Sequence, residues 1–267
     1  MSQQDARGTQ TALVTGASSG IGLEFSRLFA RDGYHVIAVG RHVESLQMLA
    51  ADLAKRGARG TTTIVADLGQ PHSAAEVMRQ LGEGRTAIDV LVNSAGRGVY
   101  GPFLETALDD ELEMLQLNMI TLTELTKLVA PAMVARRKGR IVNVASIAAF
   151  VPGPLMAGYY ATKAYVLSFS EALATELEGT GVTVTVLCPP ATRSGFQAAA
   201  RLESSKLIKS QKLFEADEVA RIGYAGMMAG ERVVVPGFAN WLSTKVVGLV
   251  PRRMLGRYVR NVQAPAT

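Results

Sequence analysis

The chain has 267 residues, enough for one large α/β domain. It is 48% hydrophobic and 19% charged, so a sizeable core is available, and no apolar run reaches the roughly 18 residues of a membrane span. The net charge of +5 does not point to nucleic acid, because it sits in one tail: no acid follows Glu231, whereas Arg232, Lys245, Arg252, Arg253, Arg257 and Arg260 do, and the 22 basic residues that remain of the 28 face 23 acidic ones.

In chain order, the first ten residues are polar and are expected to form a frayed tail without an apolar leader. Apolar, β-branched runs predict strands at 11–15, 35–40, 61–66, 87–93, 139–145, 183–189 and 232–235, each continuous enough to be buried on both faces. Between them, 21–31, 107–137 and 159–178 carry helical periodicity. This alternation implies right-handed crossovers and an α/β, doubly wound, mostly parallel seven-stranded sheet with helices on both faces. With no linker and no repeat, residues 1–267 read as a single catalytic domain, and 191–214, which fall outside the alternation, as a substrate lid. The lone Cys188 rules out an internal disulfide and fits a reducing, cytoplasmic setting.

The first strand runs into Thr15-Gly16-Ala17-Ser18-Ser19-Gly20-Ile21-Gly22 and then a helix. Glycines there let the backbone turn tightly and approach a pyrophosphate, and the helix N-terminus offers free N–H groups. Farther on, Tyr159 and Lys163 stand four residues apart, with Ser146 thirteen residues before the tyrosine. Four residues is about one helical turn, so phenol and ammonium share a face. A nearby cation favours phenolate, and a tyrosine so tuned passes a proton to or from an oxygen that a serine hydroxyl can hold.

Taken together, the glycine spacing, Asn93-Ser94-Ala95-Gly96, Asn118, Ser146, Tyr159 and Lys163 resemble the classical short-chain dehydrogenase/reductase family over about residues 10–237. The resemblance implies a Rossmann-type fold, a nicotinamide cofactor and a Ser-Tyr-Lys-Asn active site. It implies Tyr159 as general acid/base, Lys163 on the nicotinamide ribose and depressing the tyrosine pKa, Ser146 on the substrate oxygen, and Asn118 organising a water toward Lys163. Gly16, Ser18, Ser19, Gly20, Ile21 and Gly22 would cradle the pyrophosphate; Asn93, Ala95 and Gly96 would form the cofactor wall; Asp67 and Leu68 would meet the adenine. Two positions depart from the family pattern. Pro189-Pro190 stands where Pro-Gly is usual, leaving Thr192 and Ser194 for the nicotinamide carboxamide, and Ser94 replaces a second asparagine. No metal ligands are implied.

For cofactor choice, NAD-selective folds place a carboxylate at the end of the second strand. This chain has Val39-Gly40-Arg41 there, so a 2′-phosphate would meet a guanidinium, and NADP(H) is expected over NAD(H), with Ser18 as a second contact. Phe150, Val151, Pro152, Leu155 and Met156, with Phe103 and Phe196, make an apolar pocket wall, and Lys206, Lys209 and Lys212 recur every three residues in the lid. In the tail, Met254, Leu255, Tyr258, Val259 and Val262 fall within about 140° of a helical wheel. Trp241, Leu242, Val246 and Leu249 form a second apolar set. The tail is expected to dock on protein with its arginines in solvent, a membrane surface being the alternative.

The expected function is NADP-dependent interconversion of a hydrophobic ketone or aldehyde and its alcohol. Reduction of 3-oxoacyl thioesters is the alternative within enzymes, and a catalytically silent NADP sensor or scaffold the alternative outside them. The family implies a homodimer or homotetramer.

Overall fold

Seven parallel strands form one sheet whose spatial order reverses in the middle, and that reversal positions the site. The computed structural model describes residues 9–82, 86–200, 206 and 213–265. Strands β1 (Thr11–Thr15), β2 (His35–Gly40), β3 (Gly60–Val65), β4 (Val90–Asn93), β5 (Gly139–Val144), β6 (Val182–Leu187) and β9 (Val233–Val234) lie in the order β3-β2-β1-β4-β5-β6-β9. Every pairing is parallel. The chain winds outward from β1 in one direction and from β4 in the other, which opens a crevice at the carboxyl ends of those two strands. Two short strands, β7 (Thr192–Arg193) and β8 (Phe214–Glu215), pair apart from the main sheet and pin the base of the segment expected to be a lid.

Alternation of side chains along each strand divides the core into two layers. Ala12, Val14, Val36, Ala38, Val90, Val92 and Val142 face helices α1 (Gly20–Arg31), α2 (Val43–Lys55) and α8 (Ala216–Ala229). Phe25, Phe29 and Tyr224 fill that layer with ring contacts between 5.2 and 6.4 Å. Leu13, Ile37, Val39, Leu91 and Ile141 face α3 (Ser73–Gln80), α5 (Leu122–Ala135) and α6 (Ala157–Glu176). The third strand departs from the expected burial on both faces: Ile64 alone is buried in it, because β3 is an edge strand and its threonines meet solvent.

The helix expected over 107–137 is three pieces. Helix α4 (Leu108–Leu115) passes into a π-helical turn at Gln116–Thr121 before α5 begins. A 3₁₀ turn at Ile147–Phe150 follows β5, and the short α7 (Phe196–Ala199) follows β7. The tail folds as α9 (Phe238–Val246), a 3₁₀ turn and α10 (Arg252–Gln263). Of the lid lysines, Lys209 and Lys212 lie outside the described residues, as do residues 1–8.

Candidate active site

The glycine loop leaves the carboxyl end of β1 at the crevice. Gly16 and Gly20 adopt φ of +63° and +52°, a region that side chains disfavour. A Cβ on Gly22 would stand 2.4 Å from the Gly16 carbonyl oxygen, so the loop folds back on itself only as glycine. The turn presents Ser18 and Ser19 just ahead of Ile21 in the first turn of α1, where main-chain N–H groups lack helical acceptors. Thr15 Oγ donates to the Val92 carbonyl and accepts from the main-chain N–H groups of Ser94 and Ala95 at 3.0 and 3.1 Å. The loops after β1 and β4 are thereby tied together as the two lips of the crevice.

Asn93 lies below, buried, and donates to Thr126 and Asn143; its own Oδ1 has no partner among the described residues. Asp67 Oδ1 accepts from the Gly69 N–H at 3.0 Å, which turns the chain after β3, while the Leu68 carbonyl is held by Thr121 at 2.8 Å. Arg41 follows β2 and is exposed. The Ser18 hydroxyl stands beside the preceding residue: a Cβ on Gly40 would lie 3.3 Å from Ser18 Oγ. From the opposite side, Ser194 closes on the glycine loop, its Cβ lying 3.1 Å from where a Gly20 Cβ would be. Pro189 supplies a carbonyl that accepts from the Ile147 N–H at 3.0 Å, and the Thr192 hydroxyl donates to the Pro190 carbonyl at 2.8 Å. The double proline thus keeps both carbonyls in use.

Ser146, Tyr159, Lys163 and Asn118 converge at the far end of this crevice. Ser146 caps the 3₁₀ turn after β5, its Oγ accepting from the Ala148 N–H at 3.1 Å and donating weakly to the Pro189 carbonyl at 3.4 Å. The Ser146 hydroxyl lies close enough to the Tyr159 phenol to favour its ionised form. Lys163, one turn along α6, is 6% exposed, sits 5.7 Å from the centre of the Tyr159 ring and donates to the Val144 carbonyl at 2.9 Å. Only one of its three N–H groups is used by that bond.

The π-helical turn carries Asn118 inward. Its Oδ1 accepts from the Arg97 N–H at 3.0 Å, and its Nδ2 donates to the Arg97 carbonyl at 2.9 Å and to Thr162 at 3.0 Å. Gly96 is the gap between these groups: a Cβ there would stand 3.2 Å from Asn118 Oδ1 and 3.5 Å from Lys163 Nζ.

Electrostatics in this arrangement differ from the expectation that lysine lowers the tyrosine pKa. Enclosure of the Tyr159 phenol pushes its pKa up, with the nearby Ser146 hydroxyl opposing, so the site holds a protonated phenol. Burial lowers Lys163 to about 8, with the neighbouring Cys188 opposing. Burial sets the direction of both shifts.

The apolar wall is also more selective than expected. Met156 is buried against Tyr100, Tyr159, Tyr160, Phe196 and Ala200, and the Phe196 ring lies 5.2 Å from that of Tyr159. Leu155 takes φ of +67°, fixed by the Gly101 N–H on its carbonyl at 2.9 Å. Phe103 is 62% exposed and takes no part in this cluster. The end of α10 completes the wall: Gln263 Nε2 donates to the Tyr160 hydroxyl, and the Tyr100 hydroxyl donates to the Gln263 carbonyl at 2.6 Å. Sequence reading did not find Gln263. Its only signal was a polar residue on the apolar side of the last helical turn.

A doubly wound sheet with a glycine loop at its switch point, beside a half-buried serine and tyrosine and a buried lysine, defines a dinucleotide-binding oxidoreductase. The short chain dehydrogenase family model matches residues 10–205, and the chain belongs to the short-chain dehydrogenase/reductase family, oxidoreductases acting on CH–OH/C=O groups. Among solved structures it is similar to a short-chain dehydrogenase from Sphingobium yanoikuyae in complex with NADPH, at 33% identity and a TM-score of 0.81 over 96% of this chain and 98% of that one. It is also similar to the bulky-bulky ketone specific alcohol dehydrogenase from Comamonas testosteroni, at 32% identity and a TM-score of 0.77 over 91% and 94%. A very-long-chain 3-oxoacyl-CoA reductase of Pyrenophora tritici-repentis is 32% identical over 252 residues, which cover 91% of this chain and 73% of that protein.

Proposed function

We propose that the chain interconverts a hydrophobic ketone or aldehyde and the corresponding alcohol with NADP(H). The observation that carries this reading is the Tyr159 phenol, protonated, beside Ser146 and packed on Met156 and Phe196 at the crevice. The residues fit a dinucleotide: the glycine loop turns tightly against itself and Ala95 because no Cβ intervenes, leaving main-chain N–H groups at the start of α1, and Lys163 has donors beyond its bond to Val144 next to Gly96. A nicotinamide supplies the hydride donor or acceptor.

The remaining chemistry falls to the chain. In the reducing direction Ser146 turns its hydroxyl from the long bond with Pro189 to the substrate oxygen, and Tyr159 gives that oxygen its proton. The phenolate left behind faces the Lys163 ammonium, which favours it. Lys163 would also hold the ribose, and Asn118 fixes the loop of Arg97 so that Gly96 and Lys163 keep their spacing. Thr192 and Ser194 would meet the carboxamide, and Asp67 and Leu68 the adenine. Arg41 and Ser18 together, with no acid at the end of β2, favour a 2′-phosphate and hence NADP(H). The family's long helices, here α5 and α6, would join copies into a dimer or tetramer.

The test is a screen of ketones, aldehydes and secondary alcohols with NADPH, NADP, NADH and NAD, followed at the reduced-nicotinamide absorbance. Turnover of bulky apolar carbonyls with NADPH is expected. Absence of turnover with every pair would overturn the reading in favour of a cofactor-binding module. Selective turnover of 3-oxoacyl thioesters would replace it with the second reading, which the likeness to a very-long-chain 3-oxoacyl-CoA reductase favours.

A further inference from the structure

Helix α9 has no buried residue at all. Phe238, Trp241, Leu242 and Val246 recur at helical spacing along it and are 76%, 42%, 45% and 46% exposed, and Leu249 in the following turn is 85% exposed. Phe238 stacks on Trp241 at 5.8 Å and Lys245 lies 6.0 Å over the same indole, so the apolar row has an ordered shape while remaining open. In α10 the expected docking is only half realised. Val259 and Gln263 are buried against the domain, whereas Met254 and Tyr258 are 61% and 67% exposed. Both helices rest on the segment after Ser146: α9 packs on the 3₁₀ turn at Ile147–Phe150, and Gly256 of α10 approaches Pro152. Both helices thus flank the segment between Ser146 and Tyr159.

The charges that α9 and α10 themselves carry all have one sign. Lys245, Arg252, Arg253, Arg257 and Arg260 are exposed, no acid follows Glu231, and none of the five pairs with a carboxylate among the described residues. A second copy is a poor occupant, because a two-fold contact would set this cationic surface against itself. An anionic bilayer meets both demands at once: acyl chains accept the apolar row and headgroups the cations. No described helix is long and apolar enough to cross a membrane, so such contact is peripheral.

We propose that the outer faces of α9 and α10 form a docking surface for anionic phospholipid bilayers, placing the apolar wall of the site at the lipid surface. The surface stands independently of which carbonyl compound the enzyme takes. Trp241 is the chain's only tryptophan and reports directly on it.

The experiment uses the full chain with vesicles of phosphatidylcholine alone or with about 30% phosphatidylglycerol. Co-sedimentation with the anionic vesicles and a blue shift of Trp241 emission are expected at about 0.05 M salt, with binding lost at about 0.5 M salt and absent for phosphatidylcholine alone. Val246→Ser with Leu249→Ser, and separately Arg253→Glu with Arg257→Glu, should each weaken vesicle binding at least about tenfold while the melting temperature stays unchanged. Protein left in the supernatant with both vesicle types overturns the proposal. So does loss of a dimer or tetramer on sedimentation analysis of the same serine variants, which would make the surface an interface between copies.

Discussion

Gln263, on the last turn of the chain's final helix, donates its side-chain amide to the hydroxyl of Tyr160, the residue beside Tyr159. The Tyr100 hydroxyl closes the same corner from the loop after β4. The end of α10 is thus part of the wall around the reacting groups. Gln263→Ala would leave a buried phenol hydroxyl unpartnered and cost about 1–3 kcal/mol, or several degrees of melting temperature. KM for bulky substrates should rise more than kcat falls. An unchanged melting curve together with unchanged KM would show that the corner carries no load.

Tyr159 and Tyr160 give a controlled pair. Tyr159→Phe should lower turnover by about 10²–10⁴-fold, the range for a general acid/base, with cofactor affinity nearly unchanged. Tyr160→Phe should keep most turnover, since its hydroxyl bonds to Gln263. Steady-state kinetics and a cofactor titration on both variants decide it. Equal behaviour of the two would refute the assignment of Tyr159.

Arg41→Ala should weaken NADPH binding about tenfold, near 1.5 kcal/mol, the low end for a hydrogen bond to a charged group, because the side chain is exposed. NADH binding should barely move. Gly40→Asp is a less clean probe than it looks in sequence, since a Cβ there would stand 3.2 Å from Leu46 Cδ2 as well as beside Ser18. Equal losses for both cofactors with Arg41→Ala would refute a contact to the 2′-phosphate.

Lys163 makes a prediction about pH. Its pKa falls from 10.5 to about 8 on folding, so between those values the unfolded chain holds more protons than the folded one. On this group's account the ligand-free protein gains stability as pH rises from about 8 to about 10.5, by up to about 3 kcal/mol. Cys188, pushed up to about 12, and Tyr160, likewise to about 12, act the other way in alkali because they resist ionisation when folded. The comparison is therefore with Lys163→Met, which keeps those groups. Melting curves at pH 7.5 and 9.5 should show the wild type gaining on the variant at the higher pH. Parallel curves would show that Lys163 is not buried in the way described.

The sequence by itself determined most of the strands, that they run parallel, and the spacing that sets Lys163 one turn from Tyr159. All of these are written in local signals: runs of β-branched residues, glycines before a helix, four-residue periodicity. The order of the strands in the sheet came only with the fold. Tertiary structure decided what depends on distant segments meeting. Ile64 stands alone in the core from its strand because β3 lies at the sheet's edge. Asn118 faces inward because a π-helical turn interrupts an otherwise regular helical pattern, and no periodicity in the residues marks that turn. Tyr159 is held protonated because the fold encloses its phenol, whereas its helical spacing to Lys163 alone implied the reverse. The exposed row on α9 follows the same rule: its helical period was legible, but whether it is covered depends on surfaces folded from elsewhere in the chain, and they leave it open.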